Sequence, residues 1–357
     1  MRLQDVATRA NVSVATVSKI LNNSPEAARI PDATQQRVLE ACAALEYRPN
    51  YLGRSLKTGR AHAIGAVLLR PNSASHMDFF WMPMILGVVE ESFARSSHVV
   101  SLGAENGRSV IETGLDAISQ RRIDGLIIGS AFCSPEEVAR LEAANVPVVL
   151  ASWRGQTVLP VVDIDERSGV EAGISHLHEL GHKNVLWLGA TPKNPMDDTV
   201  RFSAFKGALK TRKMKGERAE VDYPHRALPL ESQFEEVRES LENSEAFWAH
   251  FEGENPKTAL FCYNETLAFG AVRALKNRGL RVPEDVSVLA FDDILAPMCD
   301  PALTVLSHEQ RQMGVRAVQI LHEIVQKPDA HKNWRGQRES LPCELFVRNS
   351  TARSRFA

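Results

Sequence analysis

The residues from 13 to 22 bring hydroxyl, amide and ammonium side chains together with small apolar ones at helical spacing. Val17, Ile20 and Leu21 lie at positions that would face inward on a helix. The residues left facing outward are Ser13, Val14, Ala15, Thr16, Ser18, Lys19 and Asn22. Small apolar groups can contact thymine methyls in the major groove, and polar groups can contact base edges and phosphates. This set of side chains predicts a helix that reads DNA.

A second helix must hold this one in place, and residues 3–10 supply it. Their apolar positions recur at helical spacing, Asn11 interrupts the run, and Ser13 is a good N-cap for the helix that follows. Two short helices joined by a tight polar turn form the helix-turn-helix pattern. An ordinary helical hairpin has the same pattern, so the motif alone leaves both interpretations open.

The distribution of charge favours DNA binding. Residues 1–60 contain nine Lys and Arg against five Asp and Glu, a net charge of +4, whereas the remainder contains 33 against 39, a net charge of −6. The basic residues continue past the helices to Arg54, Lys57 and Arg60. A basic segment that coincides with a helix-turn-helix is typical of phosphate contacts.

Two segments, VATVSKILN and LEYRPNYLGRSLKTGR, flank a third predicted helix from Asp32 to about Ala44. In this order they resemble the headpiece and hinge of the lactose-repressor (LacI/GalR) family, although the loop from Asn23 to Pro31 is longer than usual. The resemblance implies further DNA contacts from Tyr47, Asn50, Arg54 and Leu56.

The hinge would form one helix capped by Asn50, which is too short to be stable alone in water and should order on DNA. Leu56 matches the leucine that the family inserts into the minor groove, where such wedges kink the duplex. A buried linker residue is the alternative for Leu56. Gly53 stands where the family usually has alanine, and this lowers helix propensity by about 1 kcal/mol.

From Ala61 onward, short apolar runs alternate with amphipathic segments, as parallel strands and helices do. The pattern repeats after Asp163, which predicts two doubly wound halves with a crevice at the carboxyl ends of their strands. The family resemblance extends over nearly the whole chain through HLHELGHKNVLWLG, RFSAFKGALK and DPALTVL. The expected fold is an all-α helix-turn-helix headpiece followed by an α/β periplasmic-binding-protein-like core of two doubly wound parallel-sheet subdomains.

The expected domains follow the same resemblance. They are a helix-turn-helix headpiece at 1–48, a hinge at 49–60, and an effector-binding and dimerisation core at 61–357. Within the core, the N-subdomain covers about 61–162 with 309–325, and the C-subdomain covers about 163–308 with 326–357.

Arg201, Asn264 and Asp292 match the effector contacts of the family and follow or end predicted strands. An arginine, an amide and a carboxylate suit a polyhydroxylated ligand, because each hydroxyl can both donate and accept a hydrogen bond. There are simpler alternatives for all three. Asn264 and Asp292 could cap the helices that follow them, and Arg201 could be a surface charge.

Three further positions are effector candidates. Phe80 and Trp153 could stack on a ligand or belong to the apolar core, and His308 stands where the family commonly has glutamine. Glu265 replaces the usual aspartate after Asn264. These departures indicate a specialised pocket, for which we expect a sugar or sugar derivative, with a purine-type corepressor as the alternative.

The segment from His178 to His182, HELGH, fits the HExxH zinc-protease pattern. Gly181 before an apolar run predicts a helix end, so the two histidines would not share a helical face. No nucleophile elbow, P-loop or dinucleotide-binding glycine motif occurs, and the five cysteines lie far apart in the sequence. We therefore expect no enzyme activity, no metal and no cofactor.

Composition completes the expectations. The chain has 357 residues, of which 44% are hydrophobic and 24% charged, as in globular proteins with a sizeable core. It shows neither a membrane-length apolar run nor a signal peptide, which indicates a cytoplasmic protein without a membrane partner and disfavours a solute-binding protein of a transporter. The expected function is that of a homodimeric transcriptional repressor, which binds near-palindromic double-stranded operator DNA under the control of a small-molecule effector.

Overall fold

The computed structural model describes residues 1–21, 25–47, 55, 59–68, 76–104, 107–190, 199–221, 229–327 and 329–356. These residues divide into two compact units, Met1–His62 and Ala63–Ala357. Four of the candidate DNA contacts, Asn22, Asn50, Arg54 and Leu56, lie outside the described residues. For Phe80 only the backbone is described, and it is helical.

The first unit is a small helical domain. Its helices are α1 (Leu3–Ala10), α2 (Val14–Leu21) and α3 (Asp32–Ala44), with a 3₁₀ turn at Pro25–Arg29. Asn11 adopts a left-handed φ of 52°, which ends α1, and Ser13 Oγ accepts a hydrogen bond of 3.0 Å from the Thr16 amide at the start of α2. Val6, Val17 and Val38 are fully buried at the centre of the three helices.

The second unit contains two six-stranded sheets. The first has the order β11-β5-β4-β3-β1-β2 and is parallel throughout. Its strands are β1 (Ala63–Val67), β2 (His98–Ser101), β3 (Leu126–Gly129), β4 (Val148–Ala151), β5 (Val161–Ile164) and β11 (Arg338–Leu341). The helices that accompany it are α4 (His76–Ala94), α5 (Val110–Ser119), α6 (Pro135–Ala144), α12 (Gln310–Gln326) and α13 (Ala330–Trp334). We call this sheet and these helices the first subdomain.

The second sheet has the order β12-β10-β9-β8-β6-β7, and only β12 runs antiparallel to its neighbour. Its strands are β6 (Asn184–Ala190), β7 (Lys215–Val221), β8 (Ala259–Cys262), β9 (Ser287–Phe291), β10 (Thr304–His308) and β12 (Cys343–Phe346). Its helices are α7 (Glu166–Glu179), α8 (Thr199–Thr211), α9 (Leu230–Glu242), α10 (Glu245–Trp248) and α11 (Glu265–Asn277). This sheet and its helices form the second subdomain.

The inner strands of both sheets are buried on both faces, which explains their continuous apolar sequences. In the second subdomain the Trp187 ring lies 5.2 Å from that of Phe205 and 5.1 Å from that of Phe261, between centroids. The expected fold class is confirmed. None of the described helices is both long and apolar enough to cross a bilayer.

One expected boundary is wrong. Residues 326–357 were expected in the C-subdomain, but β11 pairs with β5 in the first sheet, with Arg338 opposite Val161. The segment RESL is short and half polar, as suits the edge of a sheet, and its sequence carries no sign of which sheet it joins. The chain therefore crosses once more between the subdomains near its end.

Candidate DNA interface and ligand site

Helix α2 presents most of the predicted DNA contacts on one side of the first unit. Ala15 and Lys19 are exposed, while Val14, Thr16 and Ser18 are half-buried. The opposite side of α2 packs through Val17 and Ile20 against the domain core. An outward face with small residues and one cation is suited to close contact with DNA.

Two predicted contacts also have structural roles. Ser13 is exposed, but its hydroxyl caps α2 and lies 2.8 Å from Thr16 Oγ1. Tyr47 follows α3, and its amide donates to the carbonyl of Cys42 over 2.9 Å. The Tyr47 ring packs against the helical core, where burial and the neighbouring Cys42 raise the pKa of its hydroxyl.

In the second unit, four predicted effector contacts come together at the carboxyl ends of the second sheet. Arg201, Asn264, Asp292 and His308 are each 5% exposed or less. Arg201 Nη1 donates to the carbonyl of Tyr263 over 2.7 Å, and Nη2 lies 3.5 Å from His308 Nε2. The guanidinium also lies over the Phe291 ring, 4.1 Å from its centroid. This burial excludes the alternative that Arg201 is a surface charge.

His308 and Asp292 form the second contact of this cluster. His308 Nδ1 lies 3.1 Å from Asp292 Oδ1, and both side chains are almost fully buried. Arg201 Nη2 thus approaches one ring nitrogen of His308, and Asp292 Oδ1 approaches the other. Asp292 has a φ of 78°, which an L residue rarely adopts, and such strain is typical of functional sites.

Asn264 also caps a helix, which was the simpler alternative for this residue. Its Oδ1 accepts a hydrogen bond of 3.1 Å from the Leu267 amide and so caps α11. The cap explains the position of Asn264 Oδ1, but it does not test whether the side chain also contacts a ligand.

Glu166 was not predicted from the sequence, and it connects the cluster to the rest of the cleft. Glu166 Oε1 accepts a hydrogen bond of 2.7 Å from Arg201 Nε and another from Arg154 Nη2. Burial raises the pKa of the Glu166 carboxyl, but the charges of Arg201 and Arg154 outweigh burial and hold that pKa below its usual value. Burial likewise disfavours a charged Arg201, and Glu166 more than compensates, so the pKa of Arg201 is raised.

Glu265 was noted only as a departure from the family pattern. It is fully buried, and its Oε2 accepts backbone hydrogen bonds from Ile294, Leu295 and Ala296 at 3.2, 2.9 and 3.0 Å. The carboxylate thereby holds the segment that directly follows Asp292. The local signal for this role is an acidic residue in the first turn of a helix that continues with the apolar run LAFGAV.

A cavity of about 380 Å³ lies next to the cluster, at the ends of β4 and β5. The described residues that line it are Arg154, Gly155, Gln156, Thr157, Asp163, Ile164, Glu166, Val200, Gly336 and Arg338. Trp153 does not line it. This residue is 3% exposed, its carbonyl accepts from Arg338, and its buried indole Nε1 has no hydrogen-bond partner among the described residues. Glu166 both lines the cavity and contacts Arg201.

The HExxH segment is structural. Helix α7 ends at Glu179, Gly181 adopts a φ of 83°, and His182 turns inward while His178 stays exposed. His182 lies 2.8 Å from Thr258 Oγ1 and 3.0 Å from the carbonyl of Ala352, and burial lowers its pKa to about 4. Within the part of the chain that the structure describes, no group of three or more His, Cys, Asp or Glu side chains could hold a metal ion.

A helix-turn-helix domain followed by a two-sheet core with a polar cleft defines a DNA-binding protein with a periplasmic-binding-protein-like core. Comparison with protein families agrees with this class. Residues 2–50 match the family model of bacterial regulatory proteins of the lacI family, and residues 174–351 match the periplasmic binding protein-like domain. The chain thus combines a DNA-binding domain of the lacI family with a periplasmic-binding-protein-like domain.

Similar curated proteins cover almost the whole chain. The transcriptional repressor PurR of Haemophilus influenzae is 29% identical over 352 residues, or 98% of each chain. The repressor CytR of Escherichia coli is 29% identical over 354 residues, or 98% of this chain and 96% of CytR. Catabolite control protein A of Priestia megaterium is 27% identical over 98% of each.

Solved structures show the same architecture. The lac repressor dimer bound to operator and an anti-inducer matches 99% of each chain with a TM-score of 0.73 and 25% identity. The regulator CelR in complex with cellobiose matches 98% of this chain and 99% of its own with a TM-score of 0.63 and 23% identity.

Proposed function

We propose that this protein is a homodimeric transcriptional repressor that binds a near-palindromic operator and responds to a small molecule in the cleft of its core. The observation that carries the proposal is the presence, in one chain, of an outward-facing recognition helix and a cleft lined by buried polar groups. Relatives of the same length, PurR and CytR, are transcriptional repressors. Such a protein acts where the DNA is, in the bacterial cytoplasm.

The outer face of α4 supports a dimer. Met82, Leu86, Val89 and Phe93 follow one another at spacings of four, three and four residues, and their exposed fractions are 44%, 59%, 46% and 83%. A contiguous row of large exposed apolar side chains is typical of a protein interface. A two-fold dimer would present two copies of α2, and the symmetry of the protein then requires a near-palindromic operator.

The cleft supports a polar effector. Arg201, Asp292 and His308 are buried together, and Glu166 connects them to a cavity large enough for a small molecule. Guanidinium, carboxylate and imidazole groups can bind hydroxyls, and a sugar or sugar derivative offers several. Arg201, Asn264, Asp292 and His308 are the proposed contacts, with Phe80 as the aromatic candidate, whereas Trp153 lies outside the described wall of the cavity.

Regulation would come from the difference in effector affinity between two arrangements of the core. Coupling between an effector and an operator is usually worth about 1 to 3 kcal/mol and must be reciprocal. An effector that lowers operator affinity must therefore bind more weakly to the protein on DNA, by the same factor.

The experiment begins with selection of DNA from a random library by the purified full-length chain. Enrichment of a near-palindromic sequence is expected, and its absence at low salt would contradict the proposal. A thermal-shift screen of sugars, sugar derivatives and purine bases then identifies the effector, since a ligand at about 100 times its Kd adds roughly 2.7 kcal/mol. Operator affinity is finally measured with and without that ligand at fixed salt. A decrease identifies an inducer, whereas an increase identifies a corepressor of the purine type.

A further inference from the structure

The described wall of the cleft cavity carries its charges in matched pairs. Its charged residues are two arginines, Arg154 and Arg338, and two carboxylates, Asp163 and Glu166. Arg338 Nη1 lies 2.5 Å from Asp163 Oδ2, and Arg154 donates to Glu166 Oε1. This part of the wall therefore has no net formal charge, although it is strongly polar.

Glu166 is the carboxylate with two partners. It is 7% exposed, and its Oε1 accepts from Arg154 of the first subdomain and from Arg201 of the second. The two guanidiniums hold the pKa of Glu166 below its usual value in spite of burial, so the group stays charged at neutral pH. Glu166 offsets one of these two positive charges, and Asp292, whose charge also raises the pKa of Arg201, offsets the other before any ligand enters.

We propose that Glu166 sets the charge class of the effector: by acting as counterion to Arg154 and Arg201, it selects an uncharged polyhydroxylated ligand over sugar phosphates and sugar acids. The inference rests on the proposed ligand-binding function of the cleft. An anionic group would approach the carboxylates of Glu166 and Asp163, and like charges repel. Hydroxyls instead can donate to these carboxylates and accept from the guanidiniums.

The first test uses inorganic phosphate as the probe and the purified full-length protein. Thermal shift is recorded against phosphate concentration, with sodium chloride at equal ionic strength as the reference. Glu166→Gln keeps the shape of the side chain and removes its charge, so Arg154 and Arg201 gain capacity for an anion. We expect Glu166→Gln to bind phosphate at least about tenfold more tightly than the wild type.

The matched control is Glu171→Gln. Glu171 lies on the same helix, pairs with Arg212 at 2.7 Å, and is 47% exposed. This variant should respond to phosphate as the wild type does. A response of Glu166→Gln no larger than that of Glu171→Gln overturns the proposal.

A second measurement needs no variant, in case circular dichroism shows that Glu166→Gln does not fold. Wild-type protein is titrated with matched pairs, namely ribose against ribose 5-phosphate and glucose against glucose 6-phosphate or gluconate. Tighter binding of an anionic member overturns the proposal, and about a tenfold preference for the uncharged member supports it. Neither measurement involves DNA, so this proposal can fail while effector-controlled DNA binding stands.

Discussion

Glu265→Ala tests whether one buried carboxylate holds the turn beside the ligand site. Glu265 accepts hydrogen bonds from the amides of Ile294, Leu295 and Ala296, and it is fully buried. A buried donor that loses its acceptor costs about 1 to 3 kcal/mol. Ile294 and Leu295 are only half-buried, so water can replace part of the loss at two of the three amides. We expect the free energy of unfolding to fall by about 3 to 5 kcal/mol.

The assay is urea denaturation followed by circular dichroism, with the m-value checked for two-state behaviour. Glu265→Gln, which keeps an oxygen acceptor, should cost less than the alanine variant. Glu231→Ala is the control, because Glu231 is 69% exposed and pairs with Arg273 at the surface, where such pairs are worth less than about 1 kcal/mol. If Glu265→Ala costs no more than Glu231→Ala, the assignment of Glu265 to the turn is refuted.

Three further predictions concern pH, DNA and assembly. Burial lowers the pKa of His182 to about 4, so the unfolded chain takes up a proton first as pH falls. The free energy of unfolding should therefore decline by up to about 3 kcal/mol between about pH 6.5 and pH 4. Unfolding measured across that range should show a weaker decline for His182→Gln. Lys19→Ala should weaken DNA binding measured by fluorescence anisotropy. If Lys19 contacts a phosphate, the slope of affinity against salt should fall by about 1; if it contacts a base, a loss of about 1 to 3 kcal/mol should be confined to the operator. Lys210→Ala, at an exposed lysine, should have no effect. Phe93→Asp should yield a monomer in sedimentation velocity, and unchanged sedimentation would exclude the α4 face as the interface; Phe356→Asp, at another exposed phenylalanine, should leave the dimer intact.

The sequence predicted the elements whose patterns reflect burial. The inner strands are apolar on both faces, and the turn before α2 has an asparagine in a left-handed conformation and a serine cap, so both were recognisable. Three edge strands, β7, β11 and β12, were not predicted. Each has several exposed positions, and their sequences, KGERAEV, RESL and CELF, lack a continuous apolar run.

The sequence predicted that the ends of strands form the site, but it did not predict which side chains contact one another there. Arg201, Asp292 and His308 were located through the family resemblance, and each lies at or beyond the carboxyl end of a strand. Glu166 could not, since a glutamate at the start of a helix is also typical of a favourable interaction with the helix dipole. Its contact with Arg201 joins residues 35 positions apart, and only the packing of α7 beside α8 brings them together.

The position of Glu166 has a consequence for regulation, because its two guanidinium partners belong to different subdomains. Arg154 follows β4 of the first sheet, while Arg201 lies on α8 of the second. The cavity is lined by both subdomains too, by Arg154 on one side and by Val200 of α8 on the other. A ligand in this cavity must therefore contact both subdomains, and it can favour one relative arrangement of them only through contacts that differ between arrangements. A ligand hydroxyl that accepts a hydrogen bond from Arg154 and donates one to Glu166 makes such a contact. It replaces the hydrogen bond between Arg154 and Glu166, which already joins the two subdomains.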